Sequence, residues 1–371
     1  MRTTATFILA AAVAATASAS ARAQSIFDAG VRVGPQIHQY KFGTPANTDI
    51  TEISAPVFVL VPITPTFSLD IGTSYVSSHV QQTSNGKATT SDISGLTDTQ
   101  LRGTYTIGTD FVVLTAGVNL PTGQSRVAPN QVIAAGLIAS DFLAFPITNM
   151  GTGFGGTGGI AVARPLGDWN LGFGASMRYS AQYDPYAPPG GATPLHYQPG
   201  NEYRGRVGVD RAFGTGRIAA GVTYSKFGND NIGGSIYNTG DRYVTQVSLS
   251  NTVGSGDLWL SGWNLYRTAG TLADSSYLGH ENIASAQVGY SLPGLGGRVE
   301  PSLELRDWMQ ASLPSSILAT VGVQLRFDVG GFGVVPSAGY SVGHLAAQNT
   351  DGTSTTASLT GLHGTLAIRL R

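Results

Sequence analysis

The chain has 371 residues, of which only 12% are charged, and its formal net charge is −1. Ordinary soluble domains carry roughly 25% charged residues, so a charge-rich disordered chain is excluded, and the near-neutral balance leaves no basic footprint for nucleic acid. Fifty glycines without a Gly-X-Y period exclude collagen and imply many tight turns.

The N-terminus reads as a secretory signal peptide. Met1-Arg2 precedes an apolar run from Phe7 to Ala15, and small residues lead to Ala21-Arg22-Ala23. That order predicts a signal segment over 1–23 cut after Ala23, with Ala17-Ser18-Ala19 as the alternative site. The run is shorter than the ~20 residues of a spanning helix, and no later segment reaches 18 uninterrupted apolar residues. The absence of cysteine excludes a lipid-anchored lipoprotein and a disulfide framework.

Residues 24–371 then repeat one pattern. Side chains alternate faces along a strand, so a strand between two environments reads apolar-polar with period 2. Trp169, Leu171, Phe173, Ala175, Met177 and Tyr179 share one face, opposite Asn170, Gly172, Gly174, Ser176, Arg178 and Ser180. The same alternation runs through 202–211, 298–306 and 317–329, with charges on the face opposite the apolar one. Short turns rich in Gly, Pro and Asp, such as Leu166-Gly167-Asp168 and Phe213-Gly214-Thr215-Gly216, alternate with longer polar stretches near 43–52, 78–91, 121–152, 184–199, 228–240, 268–281, 309–316 and 347–357. The pattern predicts an all-β chain: one transmembrane antiparallel up-and-down β-barrel of about 16 strands, or 14 if the segments near 53–63 or 153–165 pair irregularly. A β-sandwich also alternates, but it does not need aromatic ends on its apolar faces or loops of alternating length.

Projected inward, the alternation places Arg32, Asp98, Arg102, Arg178, Glu202, Arg204, Arg206, Asp210, Arg298, Glu300, Glu304, Arg306, Arg326, Asp328 and Arg369 on the lumen side as candidate pore-lining residues. Charged rings set pore selectivity; neighbouring Arg and acids could equally neutralise one another. One long loop has internal structure. Gln131 to Phe145 is apolar with a single charge, Asp141, and Pro146 stops it. Its spacing predicts a short apolar helix in loop 121–152. Ile133, Leu137, Ile138 and Phe142 are its candidate constriction or lid residues, and a helix resting on the outer rim is the other placement.

The segment Ser94-Gly95-Leu96-Thr97-Asp98-Thr99-Gln100-Leu101, leading to Leu120-Pro121-Thr122-Gly123, resembles the bacterial outer-membrane transporters of the meta-pathway phenol-degradation family, relatives of the hydrocarbon and fatty-acid (FadL-like) channels. The resemblance covers roughly residues 90 to 230. It implies passage of small, often apolar or aromatic, molecules across the outer membrane. Two features depart from it. A strand pattern begins by Ala29, leaving no room for an N-terminal hatch, and the last strand, which the barrel-insertion machinery would read, ends Leu370-Arg371 without an aromatic.

Catalytic chemistry has no local signature. The six histidines are scattered, and no Gly-x-Ser-x-Gly elbow or phosphate loop is present. Glu300 and Glu304 lie about 13 Å apart along a strand, wider than a glycosidase pair. The expectation is a passive outer-membrane channel with no cofactor, metal or catalytic residue, in contact with outer-membrane lipids and small solutes. A barrel enzyme acting on lipid or envelope substrates, or an adhesion barrel with a filled lumen, are the alternatives.

Overall fold

The computed structural model describes residues 30–370 apart from 85, 109–110, 189–192, 312 and 349–352. The predicted signal segment 1–23 lies outside the described residues. Strand β1 runs in two pieces, Gly30–Val33 and Gln36–Phe42. It is followed by β2 (Thr48–Thr64), β3 (Phe67–Ser84), β4 in two pieces (Lys87–Leu96 and Thr99–Ile107) and β5 (Val112–Leu120). After a long loop come β6 (Gly155–Leu166), β7 (Trp169–Ser180), β8 (Glu202–Phe213), β9 (Gly216–Phe227), β10 (Arg242–Val253) and β11 (Gly256–Arg267). The last wall is β12 (Glu281–Gly294), β13 (Gly297–Gln310), β14 (Leu313–Val329), β15 (Phe332–Gln348) and β16 (Ser354–Leu370). Every strand pairs antiparallel with the next, and β1 pairs β16 through Arg32↔Arg369 and His38↔His363, closing a 16-stranded barrel. Closure satisfies every ladder within the sheet, which a spanning structure in hydrocarbon requires.

The outer face is apolar. Phe173 is 51% exposed, Val321 64% and Leu362 56%, a degree of exposure that water would penalise all round the wall and lipid does not. Tyr224, Tyr243 and Tyr266 form part of an upper aromatic girdle, with ring centroids 4.9 and 6.3 Å apart.

The strands differ in length. Those from β5 to β11 have 9–12 residues, whereas β2, β3, β14, β15 and β16 have 17–18. Twelve tilted residues span roughly 30 Å and seventeen roughly 40 Å, so one wall overshoots the apolar band. This corrects the expected long loops near 43–52, 78–91, 309–316 and 347–357, much of which is strand. Their outward residues are polar because they stand above the membrane. Inward residues in and just below these strand ends, among them Ile50, Val80, Leu318 and Leu359, are buried against the long loop 121–154, and that burial sustains the ladders.

Two strands are interrupted. At Gly34-Pro35 the ladder is broken by a proline without a donor, although Leu366 N still donates to Pro35 O at 2.9 Å. At Thr97-Asp98 the inward parity of β4 shifts from odd (Ser91, Ile93) to even (Gln100, Arg102). A bulge of this kind re-aims a side chain, and the one it turns inward is Asp98.

Candidate functional site

The loop from 121 to 154 enters the barrel. Pro129–Gln131 forms a turn of 3-10 helix that continues into α1, Val132–Ile138. Gln131 accepts from Ala128 N at 3.0 Å through its side chain, satisfying a donor at the start of the helical segment. The helix stops earlier than the apolar run 131–145 suggested. Leu143 N donates to Ser140 Oγ at 3.4 Å and Ala144 adopts φ 52°, so residues 139–146 are irregular. Side chain-to-backbone bonding competes with the helix there, and burial on several walls decides in its favour.

That irregular tip holds the two largest fully buried side chains among the described residues. Phe142 and Phe145 are 0% exposed and Leu143 2%. Phe142 stacks on Trp308 of β13 at 5.4 Å, and Phe145 meets Tyr40 of β1 edge-on at 5.4 Å. Polar contacts fix the same tip. Tyr40 donates to Leu143 O at 2.9 Å, Arg306 donates to Phe142 O, and Ile147 N donates to Glu52 at 3.1 Å. The helix rests on β2–β4, where Ser91 donates to Asn130 O at 2.7 Å and accepts from Ala134 N at 3.1 Å. Ala134 and Ile138 face that wall and are buried; Val132 and Ile133 turn away from it and are 43% and 44% exposed.

Asp98 holds the neck of the loop. Its carboxylate accepts from Gly123 N at 3.0 Å, Thr152 N at 2.7 Å and Asn119 Nδ2 at 2.8 Å. Gly123 and Thr152 are the two ends of the loop, so one side chain ties both to the wall. No room exists for a side chain at Gly123, where a Cβ would lie 2.1 Å from Met150 O.

The inner wall divides in two. Among the described residues, the cluster around the loop draws its wall residues from β1–β4 and β11–β16, and none from β5–β10. On the loop's side, inward polar groups are sealed: Glu52 and Ser78 are 1% exposed and Ser316 0%. On β6–β10, inward-facing Thr157, Arg178, Gln246, Ser248 and Ser250 are exposed. The strand register puts fourteen of the fifteen charges chosen from the sequence on inward positions, and Asp98, in the break of β4, meets the loop through its hydrogen bonds. It does not bring them together as one ring. Asp98 is consumed by the loop neck. Arg204 grips Glu202 at 2.5 and 2.9 Å, Arg306 meets Glu304 at 2.8 Å, and Arg326 meets Glu300 at 3.0 Å. Arg102 pairs with Asp70 at 3.1 Å, and Arg298 with Asp257. Arg32, Arg369 and Asp328 sit where β1, β16 and β14 near the turn side. Arg178, Arg206 and Asp210 lie on β7 and β8.

Inward charges missed by sequence reasoning include Glu52, Asp70, Arg217, Arg242, Asp257, Arg267 and Glu281. Glu52, Arg242, Arg267 and Glu281 stand at strand ends that read as loop or loop margin. Arg217 and Asp257 come one residue after a turn glycine, Gly216 and Gly256, before any alternation is established. With them included, the two sectors differ in sign. On β5–β10 the inward charges are Arg178, Arg204, Arg206, Arg217 and Arg242 against Glu202 and Asp210, and Arg217 pairs with Asp210 at 2.9 Å. On the remaining strands arginines and carboxylates are near balance.

A closed antiparallel barrel with an apolar belt, an aromatic girdle and a polar, loop-bearing interior defines a bacterial outer-membrane β-barrel protein. No family model and no curated protein matches the sequence. Among solved structures the chain is similar to a bacterial polysaccharide outer membrane secretin, at 8% identity over 92% of this chain and 99% of that one, with a TM-score of 0.47. It is also similar to an anion-selective porin from Comamonas acidovorans (13% identity, 91% and 98% covered, TM-score 0.43) and to an outer membrane channel from Pseudomonas putida F1 (11%, 92% and 96%, TM-score 0.37). The barrel assignment stands on the strand register itself, and the resemblance carried by residues 94–123 extends no further than that barrel.

Proposed function

We propose that the protein is a passive outer-membrane channel admitting small solutes, hydrophobic or aromatic ones among them, through the part of the lumen its long loop leaves free. The observation that carries this reading is the exposed inner wall of β6–β10: Thr157, Arg178, Gln246, Ser248 and Ser250 face inward and remain accessible. A barrel of this strand number is wide enough for an aqueous path. Glu202, Arg204, Arg206 and Asp210 belong to the same wall, and the other predicted lumen charges border it or brace the loop.

The loop acts as the constriction in this reading. Ile138 and Phe142 anchor it, Leu137 packs beside them, and Ile133 with Val132 presents an apolar surface away from the wall. An apolar constriction favours solutes with little hydration to lose. Its partners are outer-membrane lipids around the belt and solutes within; no reaction and no cofactor are assigned to it.

Planar-bilayer recording of the purified, folded barrel tests the reading. Wild type is expected to show discrete conductance steps, and deletion of 130–146 to enlarge them several-fold. A folded barrel that never conducts, with or without the loop, overturns it.

A further inference from the structure

The channel reading leaves open what chemistry the passage selects, and the distribution of charge across the lumen addresses it. We propose that the free passage is a path for small carboxylates with an aromatic or apolar body, received at a tyrosine cluster on the extracellular side and led down β7 and β8 by Arg178 and Arg206.

This inference rests on the channel reading, and three observations support it. The first is electrostatic. Arginines outnumber carboxylates on the free wall only, and its two carboxylates are held by Arg204 and Arg217 within that wall. The positive surplus therefore faces the water-filled sector, where low-dielectric walls focus a field along the axis. Arg178 lies beside Glu202 in the register, yet Glu202 is taken in a two-pronged grip by Arg204, and Arg178 is exposed. The cations on this wall are all arginines, whose planar guanidinium matches a carboxylate in two-pronged fashion and also stacks on aromatic faces.

The second is the space around the next cation. Arg206 is flanked in the register by Gly174 and Thr223, and its guanidinium reaches over Gly221. Gly172, Gly208 and Gly221 form a small-residue floor in adjacent strands just below. These glycines put no side chain of their own between the guanidinium and a flat solute.

The third is the mouth. Tyr183 pairs with Tyr197 through two backbone hydrogen bonds of 2.9 and 2.8 Å, their rings 5.5 Å apart and edge-on. Tyr237 lies close enough to act electrostatically on both rings, and Arg178 on Tyr183. Asp230 faces this cluster as well; it accepts from Gly200 N at 2.7 Å, and burial raises its pKa. Aromatic edges above a guanidinium suit a ring bearing a carboxylate.

The test is reversal potential in a KCl gradient, followed by protein-dependent flux of benzoate, benzamide and acetate into proteoliposomes. Wild type is expected to prefer chloride over potassium by about threefold or more, and to pass benzoate faster than its neutral isostere benzamide and faster than acetate. Arg178→Gln with Arg206→Gln should abolish the benzoate-over-benzamide advantage, Tyr183→Ala the benzoate-over-acetate advantage, and outward-facing Lys226→Gln neither; each variant is first checked for the folded, heat-modifiable barrel. Conductance with cation preference, or equal benzoate and benzamide flux in wild type, overturns this inference and leaves the channel reading standing. Absence of any conductance from folded protein overturns both.

Discussion

The two sides of this barrel use the same alternating code for opposite ends. On β1–β4 and β11–β16 the inward positions carry Ile, Leu, Val and Trp among buried hydroxyls and carboxylates, and they close on the loop tip. On β5–β10 they carry Gly, Ser, Thr and Arg, and nothing from the loop's buried cluster reaches them. The outer faces do not differ in this way, because lipid imposes one requirement all round. A barrel wall is thus free to specialise only on its inner face and above the membrane, and here both freedoms are used on one side: the strands that overshoot all belong to the wall that holds the loop.

The sharpest way to break that contrast is to remove an anchor. Phe142→Ala deletes a fully buried ring stacked on Trp308, at a cost of about 3–4 kcal/mol to the docked loop. Protease cleavage within 139–147 should rise sharply while the barrel itself stays folded. Thr223→Ala, inward on the free wall, should leave cleavage unchanged. Equal cleavage in both variants would mean that the loop's position does not depend on the buried tip.

The neck offers the next largest effect. Asp98 satisfies three donors at 2.7–3.0 Å. Asp98→Ala leaves them unsatisfied and should weaken loop closure by about 2–3 kcal/mol, read as faster hydrogen exchange at Gly123 and Thr152. Asp98→Asn keeps an acceptor and should lose less.

A pH effect follows from Asp141 in the loop. Burial raises its pKa, opposed by Arg242 of β10 and Arg267 of β11 and reinforced by Glu281 of β12. A docked loop that holds its proton more tightly than a released one is most stable in acid. Its closure weakens as pH rises from the ordinary carboxylate value to the raised one, and is level above that. Current noise in bilayers should therefore be lower at acid pH, and Asp141→Asn should remove the dependence.

Much of the barrel was legible because period 2 needs only two environments. Trp169 to Tyr179 reads without a miss and Ile317 to Val329 with the one exception of Leu318, and β7 and β14 follow that register. The strand ends were not legible for a physical reason. Above the membrane the outward residues turn polar, so segments such as 78–91 lose the very contrast that marks a strand, and only the loop packed inside explains why they remain one. The loop's apolar run was visible, but its shape was not. Phe142, Leu143 and Phe145 are set by Trp308, Tyr40 and His38 from distant strands, and no local spacing encodes those partners. The sign difference between sectors was hidden for a related reason, since Arg217, Arg242 and Asp257 flank turns or loops.

The smallest expected effect lies where the two sides meet above the membrane. Val127 of the long loop bonds to the segment 185–187 through Val127 N to Pro185 O at 2.9 Å and Ala187 N to Val127 O at 3.0 Å. Asp184 adds ties to His196 at 2.6 Å and to Arg126. The His196 bond, followed by Arg126, holds the Asp184 carboxyl below its usual range. A depressed carboxylate pKa favours the joined loops above the ordinary value, and this is lost as pH falls through the lowered one. The pair with Arg126 is exposed, so solvent and salt screen it. Arg126→Ala should leave unitary conductance unchanged and produce only a modest rise in open-channel flicker, one that high salt reproduces in wild type. A large change in conductance would show instead that the extracellular tie, and not the buried tip, sets how far the loop fills the lumen.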